Sequence, residues 1–304
     1  MYRGIDVPEG FSITQKGRYA FLTKKRYEHA LSGQTLMDSS AGIPAERQDV
    51  FHGRETIRAI PVPTLGGKRL IKRHYRHGGL WGMFARDILW GCNRPLNELA
   101  TSEKAAEQGV ETAEVVALRF ENVFGPLFRA DIFTFEISDT EDLIVFLSSH
   151  SVEQITTRKK VLINRIAQSV RKMHDAGIYH ADLHLKNILV KMDDPPGVYI
   201  IDLDKSDFCG NAAGGGLPPG RRMDNLLRLD RSLVKLQTLK PALRCITMTD
   251  RLRFLREYLR ECRLNDASDW KSLLRHHATH HSGHRLWWGI LRAAGMSIYG
   301  FKTK

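Results

Sequence analysis

The sequence predicts an α+β fold in two parts, a smaller β-rich N-terminal lobe (residues 1–137) and a larger, mainly helical C-terminal lobe (residues 138–304). Two observations favour this architecture. The chain has 304 residues, which is about the length of two domain-sized units. Short β-branched and aromatic runs mark strands in its first half, whereas longer stretches with a helical spacing of apolar residues mark its second half.

The N-terminal lobe is predicted to carry two strands and a helix that matter for function. The run from Arg69 to Tyr75 predicts the first strand, and Pro95 to Gln108 predicts a helix that Gly109 ends. The apolar run from Ile132 to Phe135 predicts a second strand. Glu136 to Asp139 follows this strand and is expected to be exposed backbone that links the two lobes.

The C-terminal lobe is predicted to be helical around one β-hairpin. Thr157 to Ala176 has the apolar spacing of a helix with one buried face, and Gly177 suits a left-handed helix terminus. Ile188 to Val190 and Val198 to Ile201 predict two strands, because the turn formers Asp193 to Gly197 separate them. Two basic amphipathic helices are expected at residues 221–239 and 250–263.

Three polar side chains should meet at the open end of this hairpin. The midpoint of positions 187 and 202 is (187 + 202)/2 = 194.5, inside the turn, so Asn187 and Asp202 should face each other. Their amide and carboxylate oxygens are hard ligands that suit Mg²⁺. Asp182, five residues before Asn187, would accept a proton from an attacking hydroxyl. The arrangement is typical of a kinase active site, although such residues also cap ordinary loops. We expect His180 to brace the backbone.

A kinase site needs a cation for the nucleotide phosphates, and the first strand offers two. Strand alternation places Lys72 on one face and Arg73 on the other, so the strand register decides which cation points inward. Lys72 is the first choice from the strand pattern, and Arg73 remains an alternative. Glu98 in the following helix is the expected ion-pair partner, and Glu103 and Glu107 of the same helix are alternatives.

Two further segments are expected to contact the nucleotide. Phe51 to Glu55 occupies the place of a phosphate-covering loop, which makes Gly53 and Arg54 candidate nucleotide-binding residues. This segment has one glycine rather than the three of protein kinase loops. Exposed backbone groups at Glu136 are the candidate contact for adenine.

Together these motifs resemble the lipopolysaccharide kinase family, the Kdo kinases and core heptose kinases of Gram-negative bacteria. The resemblance extends from about Gly53 to about Tyr258, and it rests on residues 73–80, Glu98, residues 129–137 and the segments around Asp182 and Asp202. It implies a protein-kinase-like fold that uses ATP with Mg²⁺. It also implies a lipid-linked sugar as the acceptor. The enzyme would phosphorylate a sugar hydroxyl of the lipopolysaccharide inner core on lipid A, and the reaction would take place at the cytoplasmic face of the inner membrane.

The resemblance also assigns roles by position. Asp182 matches the catalytic base and Glu98 the helix acid, and the metal ligands match Asn187 and Asp202. Family members often carry Arg where Arg73 stands, so the resemblance favours Arg73 whereas the strand pattern favours Lys72.

The acceptor is less defined than the reaction. Asp204 has counterparts in Kdo kinases, which tilts the prediction toward Kdo over heptose. A kinase acting on protein or on another small molecule is an alternative. A binding module without activity is a further alternative, although such a module needs neither Asp182 nor Asp202.

Composition agrees with a protein at an anionic surface. Lys and Arg number 46 against 34 Asp and Glu, a net charge of +12 that favours polyanions such as anionic lipid. No nucleic-acid motif accompanies the charge, so nucleic acid is not an expected partner. The four cysteines form no C-x-x-C pair, which indicates free thiols. Without a signal-peptide pattern or a run of eighteen apolar residues, the expected location is cytoplasmic and peripheral on the inner membrane.

Two other segments are open to more than one interpretation. Trp81, Phe84 and Trp90 lie between the first strand and the Glu98 helix, where they would suit either lipid contact or packing within the protein. His276 to His284 contains histidines at the i, i+4 spacing of metal ligands. No acid of the H-E-x-x-H type lies between them, so a solvated polar helix is the preferred interpretation.

Overall fold

The computed structural model describes residues 7–31, 33–37, 43–44, 58–76, 87–209, 216–239 and 246–260. The chain divides into two compact units. The first unit comprises Met1–Glu107, Thr112–Ser138 and Leu203–Ser206, and the second comprises Gln108–Glu111, Asp139–Asp202 and Asp207–Lys304. The predicted α+β class is confirmed, because the first unit is built on a β-sheet and the second mainly on helices.

The first unit contains eight strands in its described part. They are β1 (Phe11–Lys16), β2 (Tyr19–Lys24), β3 (Ile43–Pro44), β4 (Arg58–Val62), β5 (Lys68–His74), β6 (Leu89–Trp90), β7 (Val115–Phe124) and β8 (Leu127–Phe135). All pairs are antiparallel, in the order β1-β2-β7-β8-β5-β4-β3, and β6 pairs with one end of β8. Its described residues also form two α-helices, α1 (Gly33–Met37) and α2 (Asn93–Glu107).

The sheet of the first unit buries apolar side chains on both faces. One cluster contains Leu70 of β5 together with Leu36 of α1 and Phe133 of β8. The opposite cluster contains Tyr75, just after β5, together with Leu99 of α2. Since neighbouring strand residues point to opposite faces, β5 offers every second side chain to the face that carries α2.

Helix α2 confirms the helix predicted from Pro95 to Gln108. Proline near the first turn costs no hydrogen bond, because the N–H groups there have no partner within the helix. The helix ends before Gly109, whose φ of 68° is the left-handed conformation that glycine adopts without strain. Leu99 and Ala105 on its inner face are fully buried.

The second unit is built from four described helices and two small sheets. The helices are α3 (Leu143–Ser149), α4 (Val152–Asp175), α5 (Pro219–Leu239) and α6 (Met248–Leu259). The strands are β9 (Thr140–Asp142), β10 (Ile178–Tyr179), β11 (Ile188–Lys191), β12 (Gly197–Ile200) and β13 (Asp207–Phe208). They form a three-stranded sheet in the order β12-β11-β9 and a two-stranded sheet of β10 with β13. No helix in the described ranges has both the length and the apolar character needed to cross a membrane.

Helix α4 is the central helix of this unit. It begins at Val152, ahead of the predicted Thr157, because Ser151 and Gln154 form a capping box that satisfies the first backbone N–H groups. Its inner face is buried, as the apolar spacing predicts, with Val170 and Met173 fully inaccessible to solvent. Gly177 follows with a φ of 77°, which confirms the predicted left-handed terminus.

The predicted hairpin is confirmed, and its register differs by one residue. Ile188 pairs with Ile200, so Asn187 lies opposite Ile201 rather than opposite Asp202. The five-residue loop between Lys191 and Gly197 is centred on position 194, half a residue before the predicted midpoint. Ile201 N–H donates to the Asn187 carbonyl at 2.9 Å, and Asp202 is the next residue along the chain.

Candidate active site

The loop between β10 and β11 presents a carboxylate to solvent from a fixed backbone. The Asp182 side chain is 63% exposed. Its backbone N–H donates to His180 Nδ1 at 3.1 Å, and its carbonyl accepts from Asn187 Nδ2 at 3.0 Å. An accessible carboxylate on a rigid loop meets the geometric need of a proton acceptor.

His180 connects this loop with the strand that leads to Asp202. The side chain is fully buried, and Nε2 donates to the Ile201 carbonyl at 3.1 Å while Nδ1 accepts from Asp182 N–H. Burial lowers the pKa of His180, so the ring stays neutral and keeps this tautomer. The predicted role of His180 as a brace for the backbone is confirmed.

Asp202 occupies a strained backbone conformation. Its φ is 63°, in the left-handed region, which costs a non-glycine residue about 1–3 kcal/mol. The preceding Ile201 is held on both sides, by its N–H bond to Asn187 and by the bond from His180 to its carbonyl. These bonds keep the chain in that conformation at the residue predicted to bind metal.

The donor atoms at the hairpin base fit Mg²⁺. Because Asn187 Nδ2 donates to the Asp182 carbonyl, the orientation of the amide is fixed and its Oδ1 is the atom at the opposite end. Asn187 itself is buried, so this oxygen is held in a rigid setting. An amide oxygen and the carboxylate of Asp202 are hard ligands of the kind that Mg²⁺ prefers.

A buried polar network that the sequence did not reveal holds the catalytic loop in place. Asn225 of α5 donates from Nδ2 to the His180 carbonyl at 2.8 Å and accepts from His180 N–H at 3.0 Å. Its Oδ1 also accepts from His174 Nε2 at 3.2 Å, and His174 Nδ1 accepts from the Tyr258 hydroxyl at 2.7 Å. Asn225, His174, His180 and Tyr258 are all fully buried. Helices α4, α5 and α6 therefore all support the loop that carries Asp182.

A signal for this network was present in the sequence. Asn225 directly precedes Leu226, and His174 directly follows Met173, so both polar residues interrupt the apolar stripe of a predicted helix. Polar groups on a buried helix face are hydrogen-bonded in folded proteins, and they mark places where partners should be sought.

The buried His174 ring gives the protein a pH-dependent stability. Burial, together with the nearby charge of Arg222, lowers the pKa of His174 from its ordinary value near 6.5 to about 3. The unfolded chain therefore binds this proton first as pH falls, and stability drops by about 1.4 kcal/mol per pH unit from pH 6.5 toward pH 3. We expect His174→Gln to make the pH dependence between pH 6 and 5 shallower by about this amount. Urea unfolding at both pH values measures the slope, and equal slopes in the two proteins would refute the assignment.

The first unit places the two candidate cations of β5 on different faces. Arg73 forms an ion pair with Glu98, which is only 5% exposed, and the Tyr75 hydroxyl donates to the same carboxylate. Lys72 lies on the other face, 3.9 Å from Asp131. The strand register thus pairs the helix acid with Arg73, the alternative candidate, and not with Lys72, the first choice from the strand pattern.

The partner of Lys72 belongs to a separate charged cluster. Asp131 is 2% exposed and accepts from Arg119 Nε at 2.7 Å, and it lies 2.7 Å from His74 Nδ1. Burial alone would raise the pKa of Asp131, but His74 and Arg119 lower it below its usual value. Lys72 is therefore a third and more distant basic partner of Asp131, which already contacts Arg119 and His74.

A second ion pair joins the start of α2 to the segment after Asp202. Arg94 Nε donates to Asp204 Oδ1 at 2.8 Å, and its NH2 group binds the other carboxylate oxygen. Burial would raise the pKa of Asp204, yet the bonds and charge of Arg94 lower it. The guanidinium also lies 5.3 Å from the centre of the Tyr75 ring. Both oxygens of Asp204 thus serve the attachment of α2, a role that the sequence alone did not indicate.

Glu136, the predicted adenine contact, is tied to the start of β5. Glu136 N–H donates to the Arg69 carbonyl at 2.9 Å, and its carboxylate pairs with the Arg69 guanidinium. Gly53 and Arg54, the predicted phosphate-covering residues, lie outside the described residues, and so does the cluster from His276 to His284.

These two units define a class of protein. A β-sheet with an Arg–Glu pair between strand and helix, and a helical unit with Asp182, Asn187 and Asp202 around a hairpin, are the parts of a protein-kinase-like phosphotransferase. Residues 47–258 match the family model described as the lipopolysaccharide kinase (Kdo/WaaP) family. The chain belongs to this family, which confirms the resemblance found in the sequence and implies ATP as the phosphoryl donor.

Individual relatives agree with the family. The chain is similar to the 3-deoxy-D-manno-octulosonic acid (Kdo) kinase of Vibrio cholerae serotype O1, with 34% identity over 54% of this chain and 64% of the relative. It is 32% identical to the enzyme of the same name from Vibrio vulnificus, over 60% of this chain and 71% of that one. The Haemophilus influenzae enzyme of this name is 30% identical over 60% and 73%. The aligned segment thus spans slightly under two thirds of the first relative.

A solved structure shows the same fold. The structure described as WaaP in complex with acyl carrier protein matches 90% of this chain and 95% of its own, with a TM-score of 0.52 and 20% identity. At this identity the similarity shows the fold alone, and it supports the protein-kinase-like architecture.

Because Arg73 and Lys72 lie on different faces of β5, we expect their alanine variants to differ in kcat/KM for ATP. We expect Arg73→Ala to lower kcat/KM for ATP by about 10²–10³, the usual cost of losing a positioned charge in an active site. Lys72→Ala should change it by less than about threefold, because Asp131 keeps Arg119 and His74 as partners. Steady-state kinetics with varied ATP checks both values, with thermal unfolding as the control for folding. A larger loss from Lys72→Ala would reverse the assignment.

Proposed function

We propose that the chain transfers the γ-phosphoryl group of ATP to a hydroxyl of Kdo on lipid A. One observation carries the proposal, the convergence of Asp182, Asn187 and the segment of Asp202 at the open end of the hairpin. The relatives named Kdo kinases support Kdo as the sugar. A core heptose as acceptor is the alternative within the same family description.

Asp182 is the proposed catalytic base. Its exposed carboxylate accepts the hydrogen of the acceptor hydroxyl while the oxygen forms its bond to phosphorus, and the bond from phosphorus to the ADP oxygen breaks. The bonds from His180 and Asn187 to its backbone keep the carboxylate in position. Pre-positioning of this kind lowers the entropy cost of bringing base and hydroxyl together.

The nucleotide is held by residues of different types. Asn187 and Asp202 would hold Mg²⁺, which when bound screens the charge on the nucleotide oxygens. Arg73, oriented by Glu98 and the Tyr75 hydroxyl, is the proposed contact of the phosphates. Gly53 and Arg54 remain proposed as the phosphate cover, and the carbonyl of Glu136 as the adenine contact.

We also propose that the protein works in the cytoplasm, bound peripherally to the inner membrane. An acceptor on lipid A would be embedded in a bilayer, so the enzyme must approach a lipid surface. The net charge of +12 supports attraction to anionic lipid, since each basic residue near such a surface contributes about 1 kcal/mol.

An acceptor panel tests the proposed reaction. The purified chain is incubated with γ-labelled ATP and Mg²⁺ together with Kdo-lipid A, with heptosylated core or with a generic protein substrate. We expect label on Kdo-lipid A. Label only on the heptosylated core would select the heptose alternative, and label only on protein would overturn the proposal.

A further inference from the structure

One end of the sheet in the first unit exposes a row of apolar side chains. Trp90 of β6 is 80% exposed and Phe124 of β7 is 78% exposed. Both are register partners of Leu127 on β8, which lies between them. Cross-strand partners share one face of a sheet, and adjacent strands lie about 4.8 Å apart. Trp90, Leu127 and Phe124 therefore form one continuous row, and with Val123 at the adjacent turn we call it the aromatic tip.

The aromatic tip lies beyond the part of the sheet that the core covers. The adjacent cross-strand row, Leu89 and Phe128, points to the other face and is buried in the cluster that contains α2. Val123 is 39% exposed, and Pro126 at the same turn is also exposed. Large aromatic residues adjoining one another at such exposure mark interaction surfaces rather than ordinary protein surface.

A band of ion pairs follows the aromatic tip on the same face. Arg129 is the next residue of β8 on that face, and its Nε lies 2.8 Å from Asp87. Its register partner Glu121 pairs with Arg18 at 2.8 Å. The surface therefore changes from apolar at the end of the sheet to charged one row inward, which matches the change from acyl chains to headgroups across a lipid interface.

The neighbouring turn adds positive charge. Asn122 N–H donates to the Arg18 carbonyl at 2.8 Å, which places the turn between β1 and β2 beside the end of β7. Lys16 and Arg18 at this turn are both exposed. Among the described residues of this end, Glu121 and Asp87 are ion-paired with Arg18 and Arg129, and Lys16 is a third cation. This excess of one positive charge favours an anionic partner.

We infer that the aromatic tip is a membrane-docking surface, which inserts Trp90 and Phe124 into the headgroup region of an anionic bilayer. The choice of lipid over protein rests on the proposed function, because an acceptor on lipid A lies in a bilayer. Trp is the residue that favours the membrane interface most clearly, since its ring is apolar and its N–H is polar. The cations of the adjoining turn then reach anionic headgroups.

Vesicle sedimentation tests the inference with the full chain and without ATP or acceptor. The vesicles contain phosphatidylethanolamine with phosphatidylglycerol, or phosphatidylcholine alone. We expect Trp90→Ser/Phe124→Ser to weaken binding to the anionic vesicles by about a hundredfold, about tenfold for each aromatic residue. The matched control is Leu239→Ser, which removes another exposed apolar side chain, at the end of α5, and should bind as the wild type does.

A second pair of substitutions tests the contribution of charge. Lys16→Ala/Arg18→Ala should weaken binding to the anionic vesicles by about fivefold for each cation and leave binding to phosphatidylcholine unchanged. Phe124→Asp serves as an independent variant of the aromatic tip, and thermal unfolding of every variant confirms folding.

Three results would overturn the inference. The first is a wild-type chain that binds neither kind of vesicle, and the second is a Trp90→Ser/Phe124→Ser chain that binds vesicles as the wild type does. The third is a wild-type dimer that this double substitution converts to a monomer. The last result, from light scattering, would assign the surface to a second copy of the chain. Failure of the proposed reaction gives a different pattern, because Asp182→Asn should bind vesicles normally and Trp90→Ser/Phe124→Ser should keep its kcat on detergent-dispersed acceptor.

Discussion

Asp182→Asn is expected to lower kcat by about 10²–10⁴, the usual contribution of a positioned general base, while the affinity for nucleotide changes little. The substitution keeps the size of the side chain and removes only its ability to accept the hydroxyl proton. Its carboxylate is exposed and lies 3.5 Å from His184 Nε2, whereas the hydrogen bonds that hold the loop come from the backbone of this residue. Turnover and equilibrium nucleotide binding should be measured on the same preparation.

Two comparisons make this expectation specific. Asp193→Asn changes an exposed carboxylate in the turn of the same hairpin and should leave kcat unchanged. Asp202→Ala, by contrast, should weaken the binding of Mg²⁺ and nucleotide as well as turnover, because Asp202 is a proposed metal ligand. Near-normal turnover of Asp182→Asn would remove the role given to this residue.

Asn225→Leu is expected to destabilise the protein by about 3–5 kcal/mol. The change leaves three buried groups without a partner, His180 N–H, the His180 carbonyl and His174 Nε2–H, and each such group costs about 1–3 kcal/mol. A loss of this size is a large part of the stability of a typical domain. Urea unfolding measures it, and Lys235→Leu at an exposed position of α5 is the matched control, with an expected effect within about 0.5 kcal/mol.

Asn225→Asp tests the hydrogen bonds of the network separately from the packing of the buried side chain. An aspartate oxygen can still accept from His180 N–H and His174 Nε2–H, but it cannot donate to the His180 carbonyl. We expect a chain that is folded yet has a reduced kcat, since the loop that carries Asp182 loses one of its anchors. If Asn225→Leu kept the unfolding free energy of the wild type, the network would not stabilise the loop that carries Asp182.

The sequence predicted the parts of the fold that depend on local pattern. The helix of Glu98 and the hairpin before Asp202 were found because apolar spacing and turn residues specify them within a few residues. The register of the hairpin was one residue off, because the sequence alone does not fix which loop residue lies at the centre of the turn.

The choice between Lys72 and Arg73 needed tertiary structure. Alternation on a strand shows that the two side chains lie on opposite faces, yet it cannot show which face meets α2. That is decided by Tyr75, which is buried in the cluster that contains Leu99 of α2 and shares the face of Arg73. The pairing of Arg73 with Glu98 follows from this packing.

The interactions that sequence reasoning missed join residues far apart in the chain. Asn225 lies 45 residues from His180, and Arg94 lies 110 residues from Asp204. Neither pair produces a local motif. A polar residue on an apolar helix face, such as Asn225, indicates that a partner exists, but the sequence does not identify that partner. Such contacts become visible only when the fold brings the elements together.

In the proposed reaction, Asp182, Asn187 and Asp202 act together as one phosphotransfer site. Its most direct test is the transfer of label from γ-labelled ATP to purified Kdo-lipid A by the wild type and by Asp182→Asn, Asn187→Ala and Asp202→Ala. We expect stoichiometric labelling of the lipid by the wild type and a loss of at least about 10² in rate for each variant. Labelling at the wild-type rate by any of the three folded variants would contradict it.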